Sequence, residues 1–250
     1  MIQLEKICKT FNKGEAAEIK VIPELSLTIA PGTFCVIVGA NGSGKSTLLN
    51  LIAGTFSPDS GKIILNNTDV TALADYRRSI FISRIFQNPL QGTAPELSVL
   101  DNFRLAALRT QPKGLSIGTT NSFKDLVAEK IKILKLGLED KLMQSMSSLS
   151  GGQRQALTLV MATMDDCKIL LMDEPTAALD PRSSALVMEK AAEIIKLNQL
   201  TAILVTHQMK DALRYGDRLI QLQEGNILRD LSRENKEILK NEELYSWFND

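Results

Sequence analysis

The sequence has little of several features that would assign it to a class at once. Its 250 residues include one histidine, one tryptophan and three cysteines, and 29 Lys and Arg are balanced by 29 Asp and Glu. A formal charge of zero gives no pull towards nucleic acid or an anionic membrane. The cysteines (Cys8, Cys35 and Cys167) are odd in number and far apart, which indicates reduced thiols and not a disulfide framework.

Long hydrophobic runs are also missing. The longest ones, such as Phe34–Val38 and Ile169–Met172, fall far short of the roughly 18 apolar residues that a membrane-spanning helix needs. The first residues, Met1–Lys6, lack the basic and apolar regions of a signal peptide, so we expect none. Any role at a membrane is therefore expected to act through a partner.

One stretch does carry a specific signal, the nonapeptide Gly39–Thr47 with the sequence GANGSGKST. It follows Thr33–Val38, which reads as a buried strand, and precedes Leu48–Ala53, which reads as a helix. A G-x-x-x-x-G-K-[ST] pattern between a strand and a helix is typical of a phosphate-binding loop. The alternative is a glycine-rich turn that binds nothing, which a match this complete disfavours. We therefore expect the chain to bind a nucleoside triphosphate.

The residue types of this loop suit that chemistry. Its glycines, which lack a Cβ, let consecutive N–H groups point at an anion, and the helix adds its positive end. Lys45 is expected to reach the β- and γ-phosphates, and the Ser46 hydroxyl is expected to bind Mg²⁺. The other predicted nucleotide-binding residues of the loop are Gly39, Asn41, Gly42, Ser43, Gly44 and Thr47.

A second constellation follows the apolar run Ile169–Met172, which ends at Asp173 and Glu174 as a central strand would. Bound Mg²⁺ needs a carboxylate, or a water held by one, so Asp173 is the predicted magnesium-side acid. Glu174 is placed to polarise an attacking water. The alternative for both is an ion pair that caps the strand.

Strand and helix patterns alternate along the chain and predict an α/β body. Strands are expected at Met1–Ile7, Leu25–Ile29, Lys62–Leu65, Ile80–Phe86 and Ala202–Val205, and a hairpin at Leu219–Leu228. Helical spacing is expected at Leu97–Leu108, Phe123–Leu138, Pro181–Leu197 and in the tail Arg233–Phe248. We expect one domain over 1–250 with a helical insert at about 92–165, which contains a flexible loop at 111–122 of unassigned role.

The pentapeptide Leu149–Gln153, LSGGQ, makes a resemblance plain. Alone it could be an N-cap followed by flexible glycines. Together with the other motifs, the chain resembles the nucleotide-binding subunit of an ABC transporter over nearly its whole length. The matching motifs, in order, are Walker A at Gly39–Thr47, the Q-loop at Gln87, the signature at Leu149–Gln153, Walker B at Ile169–Asp173 with Glu174 after it, the D-loop at Ala178–Asp180 and the switch histidine at His207.

This resemblance implies a P-loop fold of the ABC type, with a mixed-sheet core, an antiparallel β subdomain and a helical insert. It implies ATP and Mg²⁺ as cofactors, with Ser46, Gln87 and Asp173 on the metal. Catalysis is expected from Lys45, Gln87, Glu174 and His207. Phe11 matches the aromatic residue that stacks on adenine, although an aromatic at that position could equally be core.

The resemblance also implies partners. Two copies, or this chain and a homologous ATPase subunit, would enclose two ATP molecules head to tail, each between one subunit's Walker A loop and the other's signature. The signature residues expected at the nucleotide are Ser150, Gly151, Gly152 and Gln153. The other expected partners are integral-membrane permease subunits at the cytoplasmic face of the cell membrane and a substrate-binding protein, with no nucleic acid.

Three stretches (Thr10–Gly14, Gln91–Ala94 and Arg154–Met164) look like those of a subgroup paired with permeases resembling the ones for branched-chain amino acids, which makes an amino acid the expected cargo. A soluble ABC ATPase that acts on ribosomes or DNA is a second hypothesis, although such proteins usually carry two cassettes or a long coiled coil. A P-loop kinase or GTPase would leave Leu149–Gln153 unexplained, and no Asn-Lys-x-Asp sequence occurs. The cargo, the permease and the direction of transport cannot be read from these residues, although the lack of a fused membrane domain favours import.

Overall fold

The computed structural model describes residues 1–109, 118–239, 244–245 and 247. The chain divides into two compact units, one formed by Met1–Ile82 with Gln199–Asp250 and the other by Ser83–Asn198. Most of the expected flexible loop, residues 111–117, lies outside the described residues. The assignment of 1–250 as one domain with a helical insert at about 92–165 stays a prediction.

Strands and α-helices alternate as the sequence predicts. The strands are β1 Ile2–Phe11, β2 Ile19–Ile29, β3 Phe34–Val38, β4 Ser60–Leu65, β5 Thr68–Asp69, β6 Ile82–Ile85, β7 Ile169–Asp173, β8 Thr201–Val205, β9 Arg218–Gln223 and β10 Asn226–Ser232. The helices are α1 Lys45–Ala53, α2 Asp75–Arg78, α3 Val99–Ala107, α4 Asn121–Ile131, α5 Gly151–Met161, α6 Pro181–Leu197, α7 Met209–Arg214 and α8 Arg233–Glu237. Within the described ranges, no helix combines the length and the hydropathy needed to cross a membrane.

The first unit contains an antiparallel sheet in the order β2-β1-β4-β5. Leu4 of β1 aligns with Leu27 of β2 on one side and with Ile63 of β4 on the other. All three side chains are buried, so apolar residues at every second position give this sheet one buried face.

The same unit contains strands in the order β10-β9-β3-β8, and they form a mixed sheet. β3 runs parallel to β8 and to β9, whereas β9 and β10 form an antiparallel hairpin. All five residues of β3 are buried, which explains why its sequence is a continuous apolar run without alternation. The hairpin turns at Glu224 and Gly225, both with positive φ, the backbone geometry of a tight two-residue turn.

The second unit contains helices α3 to α6 and the neighbouring strands β6 and β7. Phe103, Val127 and Leu157 come from three different helices and are fully buried. Helix α6 begins at Pro181 and ends at Leu197, the bounds that the sequence predicts, since Pro181 fits the first helical position and Asp180 caps the helix.

Two expectations need correction. The helix predicted at Phe123–Leu138 ends at Ile131, and a short 3₁₀ turn, Lys132–Leu134, follows it. Lys135 and Gly137 then take positive φ angles that no α-helix accommodates. The helix predicted over Arg233–Phe248 is interrupted: α8 ends at Glu237, Ile238 and Leu239 are not helical, and Leu244, Tyr245 and Trp247 are helical again. Residues 240–243, 246 and 248 lie outside the described ranges.

Candidate functional site

The phosphate loop leaves β3 at Val38 and enters α1 at Lys45, the strand–loop–helix arrangement that the sequence predicts. Gly39 opens the loop with φ +152, and a Cβ built there would lie 2.1 Å from the Leu222 carbonyl oxygen and 2.8 Å from Ser43 Oγ. No side chain fits such distances. Glycine is therefore required at position 39 by both the backbone angle and the approach of β9.

Lys45 is folded back over this loop and is only 7% exposed. Its Nζ donates to the carbonyl oxygens of Gly39 and Ala40, each at 2.8 Å, and reaches Ser43 Oγ at 3.4 Å. Because a buried ammonium needs acceptors around it, the loop carbonyls fix the position of the charge. The geometry places one cation inside the curl of the loop, where an anion would be attracted.

The first turn of α1 differs from those of the other helices of nine residues or more. Side chains of Ser98, Thr120, Ser150 and Asp180 cap the starts of α3, α4, α5 and α6. In α1 the N-cap residue is Gly44, and no side chain of the described residues caps the helix. Its first turn also contains no acidic residue. The positive end of the helix dipole is thus left for an anion, which is what a phosphate requires.

His207 follows β8, the parallel neighbour of β3. The Thr206 N–H donates to the Ile37 carbonyl oxygen at 3.3 Å, which aligns the end of β8 with the end of β3. His207 is exposed there. Asp211, four residues on, has a raised pKa, mainly because burial disfavours its charged form, although the neighbouring Arg214 and His207 side chains oppose this rise. His207, the predicted switch histidine, and the phosphate loop therefore start from the same sheet edge.

Phe11 ends β1 and is half-buried. Its ring meets Phe56 edge-on, with centroids 5.2 Å apart, and the Lys9 ammonium lies 5.4 Å from its centroid. These contacts hold the ring without burying it completely. The stacking of adenine on Phe11 stays a prediction.

The second unit holds the predicted Q-loop and Walker B residues. β6 ends at Ile85, two residues before Gln87, and its neighbour β7 ends at Asp173. Gln87 is exposed, whereas Asp173 and Glu174 are half-buried. Glu174 has φ +45, a left-handed conformation that costs a non-glycine residue on the order of 1 kcal/mol. Strain of this kind often marks a functional position.

Gln155 joins these two loops, a role that sequence inspection missed. Its fully buried side chain donates from Nε2 to the Phe86 carbonyl oxygen at 3.0 Å and to the Pro175 carbonyl oxygen at 2.8 Å. Phe86 precedes Gln87, and Pro175 follows Glu174. No sequence motif could reveal the link, because its acceptors are backbone atoms 69 and 20 residues away.

The signature begins α5 with a capping box. Ser150 Oγ accepts from the Gln153 N–H, and Gln153 Oε1 accepts from the Ser150 N–H, both at 3.2 Å. Gly152 packs against α6, since a Cβ there would lie 2.7 Å from Ser183 Cβ. The N-cap alternative considered for LSGGQ is thus present in the structure. The predicted contact of Ser150, Gly151 and Gly152 with nucleotide stays a prediction.

Asp180 of the predicted D-loop caps α6 through the N–H groups of Arg182 and Ser183. Hydrogen bonds from the Ser183 hydroxyl and N–H lower the pKa of the Asp180 carboxyl. The cap fixes the turn that follows Walker B, and Ser183 is also the residue against which Gly152 packs.

The predicted magnesium ligands are a hydroxyl from Ser46, an amide oxygen from Gln87 and a carboxylate from Asp173. All are oxygen donors of the type that Mg²⁺ prefers. Ser46 belongs to the first unit, and Gln87 and Asp173 to the second. Across the residues that the structure describes, no cluster of three or more His, Cys, Asp or Glu side chains could hold a metal by itself. The donor chemistry of each residue fits Mg²⁺, and a site that they share stays a prediction.

Comparison with known proteins finds similarity to ATP-binding proteins and cassettes of transporters in each case. The family model described as ABC transporter matches residues 22–177. A tyrosine transport ATP-binding protein of Clostridioides difficile is 39% identical over 99% of this chain and 98% of its own length. A phosphonates import ATP-binding protein of Hydrogenovibrio crunogenus is 34% identical over 92% of this chain and 83% of its own length. A dimeric, post-hydrolysis ATP-binding cassette bound to ADP and phosphate matches with a TM-score of 0.79 and 29% identity over 93% of this chain and 99% of that one.

Proposed function

Because the chain belongs to the ABC transporter family, we propose that it is the subunit that powers an importer of a small solute, with an amino acid as cargo. The chain is an ATPase that uses ATP and Mg²⁺. The observation that carries the choice of cargo is the full-length similarity to a protein named for tyrosine transport. The permease would be of the type that pairs with subunits for branched-chain amino acids, as the three matching stretches suggest.

Each site residue has a proposed role. Lys45 neutralises the β- and γ-phosphates from within the curl of the loop, and Ser46, Gln87 and Asp173 hold Mg²⁺. Glu174 accepts a proton from the attacking water, and its left-handed backbone fixes the direction of its carboxylate. His207 contacts the γ-phosphate from the sheet edge that it shares with Gly39. The metal supplies charge stabilisation for the phosphate oxygens.

The proposed active form is a dimer in which Ser150 and the glycines after it face the nucleotide held by the partner's Walker A loop. The uncapped start of α1 supports the first half of this arrangement. The start of α5 supports the second half, because its capping box uses the N–H groups of Ser150 and Gln153 and not those of Gly151 and Gly152. The homologous cassette with ADP and phosphate was itself solved as a dimer.

The dimer is tested with Glu174→Gln, a variant that keeps the shape of the side chain but loses the base. ATP affinity should be unchanged, and turnover should fall on the order of a hundredfold or more. Size-exclusion chromatography with ATP and Mg²⁺ should then show two chains together, and without nucleotide one chain. A monomer under both conditions counts against the dimer, and wild-type turnover counts against Glu174 as the base.

A cavity of about 420 Å³ in the second unit is the proposed docking site for a cytoplasmic helix of the permease. Part of its lining comes from the segment after Gln87. The lining includes Arg84, Gly92, Thr93, Leu105, Arg109 and Met161. Five lining residues, Gln91, Gly92, Thr93, Ala94 and Asn102, come from the segment that follows Gln87. In the same segment Val99 and Leu100 are buried in the core, and exposed Leu90 and Leu97 lie outside the cavity lining.

The residues that line this cavity indicate which kind of helix should dock there. Arg109 forms a two-pronged ion pair with buried Asp165, at 2.6 and 2.7 Å, so its charge is balanced within the unit. The Arg84 guanidinium lies 4.8 Å from the centroid of the Phe86 ring, directly before Gln87. A helix with an apolar face fits a lining that includes Leu105 and Met161.

Leu105→Asp tests the docking site, because Leu105 lines the cavity and is 53% exposed. The variant should lose transport and copurification with the permease but keep the ATPase activity of the isolated chain. Leu126→Asp is the matched control, since Leu126 is 47% exposed but outside the cavity lining. Normal transport by the Leu105 variant would move the docking site elsewhere. Failure of the wild-type chain to copurify with any membrane protein would favour a soluble ABC ATPase.

A further inference from the structure

Gln155 holds two loops of the proposed site with a single amide group. Its Nε2 donates to the carbonyl oxygens of Phe86 and Pro175, at 3.0 and 2.8 Å. The amide orientation follows from the chemistry, because the reverse orientation would place Oε1 against two other oxygens. Phe86 and Pro175 are the immediate neighbours of Gln87 and Glu174, so the amide sits between the proposed metal ligand and the proposed base.

The other half of the same amide indicates that packing alone does not explain this residue. Gln155 is 0% exposed, and its Oε1 has no hydrogen-bond partner among the described residues. A buried acceptor without a partner is unfavourable, and an apolar side chain of the same length would avoid it. What such a side chain could not provide is the pair of donors that face the two loops.

From this geometry we infer that Gln155 is a positioning residue for ATP hydrolysis, which fixes the loop of Gln87 relative to the loop of Asp173 and Glu174. The residue lies four positions after Gly151, on the helix that begins with the signature. One rigid helix therefore connects the signature with both loops. The inference rests on the proposed roles of Gln87 and Glu174, and it needs no permease.

Two variants separate positioning from packing. Gln155→Met keeps the length and removes both donors, so turnover should fall about tenfold to a hundredfold while the dissociation constant for ATP changes less than about threefold. Gln155→Glu keeps the shape but places a carboxylate against two carbonyl oxygens. Burial and these acceptors should raise the pKa of the new carboxyl, and its protonated form can donate one hydrogen bond.

The turnover of Gln155→Glu relative to wild type should therefore rise at least threefold, in order-of-magnitude terms, as the pH falls from 8 to 6. The Met variant should show no such rise. Thr163→Val is the stability control, because Thr163 follows the same helix and, among the described residues, its hydroxyl bonds only to the Val160 carbonyl, at 2.8 Å. The full-length chain, Mg²⁺ and ATP suffice for all of these measurements.

A Met variant with wild-type turnover overturns the inference, as does a loss of ATP affinity that matches the loss of turnover. The inference is also overturned if the turnover of Gln155→Glu relative to wild type does not change with pH. This measurement is sufficient by itself if the Met variant fails to fold. Glu174→Gln is measured in parallel. If Glu174→Gln turns over ATP as fast as wild type, Glu174 is not the base and the proposed function fails at that point. If Glu174→Gln is slow but the Gln155 variants are as fast as wild type, only the positioning role of Gln155 is disproved.

Discussion

Arg78 Nη1 lies 2.7 Å from the carbonyl oxygen of Leu51, in the last turn of the helix that starts at Lys45. The guanidinium also donates to the carbonyl oxygens of Ile52, Leu73 and Thr71, at 3.1, 2.9 and 3.0 Å. Arg78 is 1% exposed, and burial lowers its pKa. A cation at the carboxyl end of α1 complements the helix dipole, whose positive end faces the phosphate loop.

Replacing Arg78 with Met should lower the free energy of unfolding by on the order of 3 kcal/mol, because several buried carbonyl oxygens lose their donors together. Urea denaturation measures this loss. Arg77→Met is the control, since Arg77 lies on the same short helix with its side chain exposed beside Tyr76. Equal stability of the two variants would show that the carbonyl oxygens find water instead.

Gly152→Ala should destabilise the second unit, because the new methyl group would overlap Ser183. Adding Ser183→Gly should recover most of the lost thermal stability, less about 1 kcal/mol for a glycine in a helix. At Gly151 the nearest atom is the flexible end of Leu179, at 3.3 Å, so Gly151→Ala should shift the melting temperature much less. A double variant no more stable than Gly152→Ala would place the clash elsewhere.

Lys45→Ala should lose at least about 2 kcal/mol of ATP binding, roughly thirtyfold in affinity, because the loop sequence Gly39–Thr47 contains no second basic residue. The fold should survive, since the substitution removes a buried charge along with its carbonyl contacts. Titration with a fluorescent ATP analogue measures the affinity, and circular dichroism checks the fold. Lys62→Ala, on an exposed strand position, should bind as wild type does. A folded Lys45 variant with normal affinity would contradict the role.

Stability should rise with pH between about 8 and 10.5 because of Lys236. Burial lowers the pKa of this ammonium to about 8, although it donates to the carbonyl oxygens of Tyr215 and Gly216. In that range the unfolded chain, with the ordinary lysine pKa of 10.5, binds more protons than the folded chain, so raising the pH favours folding.

Urea denaturation of wild type and Lys236→Met at pH 7.5 and pH 9 isolates this effect. The stability of wild type relative to the variant should increase by on the order of 1 kcal/mol over that interval. Comparing wild type with the variant cancels the effect of Cys35, which acts in the opposite direction. Burial raises the pKa of the Cys35 thiol to about 12, so the contribution of Cys35 to the free energy of unfolding falls as the pH rises above 9. A constant difference between the two proteins would mean that Lys236 keeps an ordinary pKa in the folded state.

Local signals in the sequence predicted much of the fold. Pro181 after Asp180 gave the start of α6, and Glu224-Gly225 between two apolar runs gave the hairpin. The first strand was predicted to end at Ile7, but β1 continues to Phe11. Lys6 has φ +46, and the pairing with β2 shifts after Leu4. These irregularities interrupt the alternation on which a strand prediction depends.

In the candidate site, too, residues within local motifs could be predicted and residues held by distant backbone contacts could not. Lys45, Ser46, Asp173 and His207 could be proposed as site residues because each has a fixed place in a motif beside a strand end. Gln155 and Arg78 could not, because their partners are backbone carbonyl oxygens, which look alike in every sequence. The left-handed conformation of Glu174 was equally hidden, since a glutamate there carries no glycine-like signal.

The uncapped start of α1 makes nucleotide a component of the folding equilibrium. Side chains cap the starts of α3, α4, α5 and α6, whereas no side chain of the described residues caps α1, so its first turn is open to an anion. A ligand at a hundred times its dissociation constant adds about 2.7 kcal/mol to the stability of a protein that binds it only when folded. Depletion of ATP would then do more than stop turnover, because it would also shift the chain towards its unfolded and protease-sensitive forms. The lifetime of the protein would therefore depend on the ATP concentration.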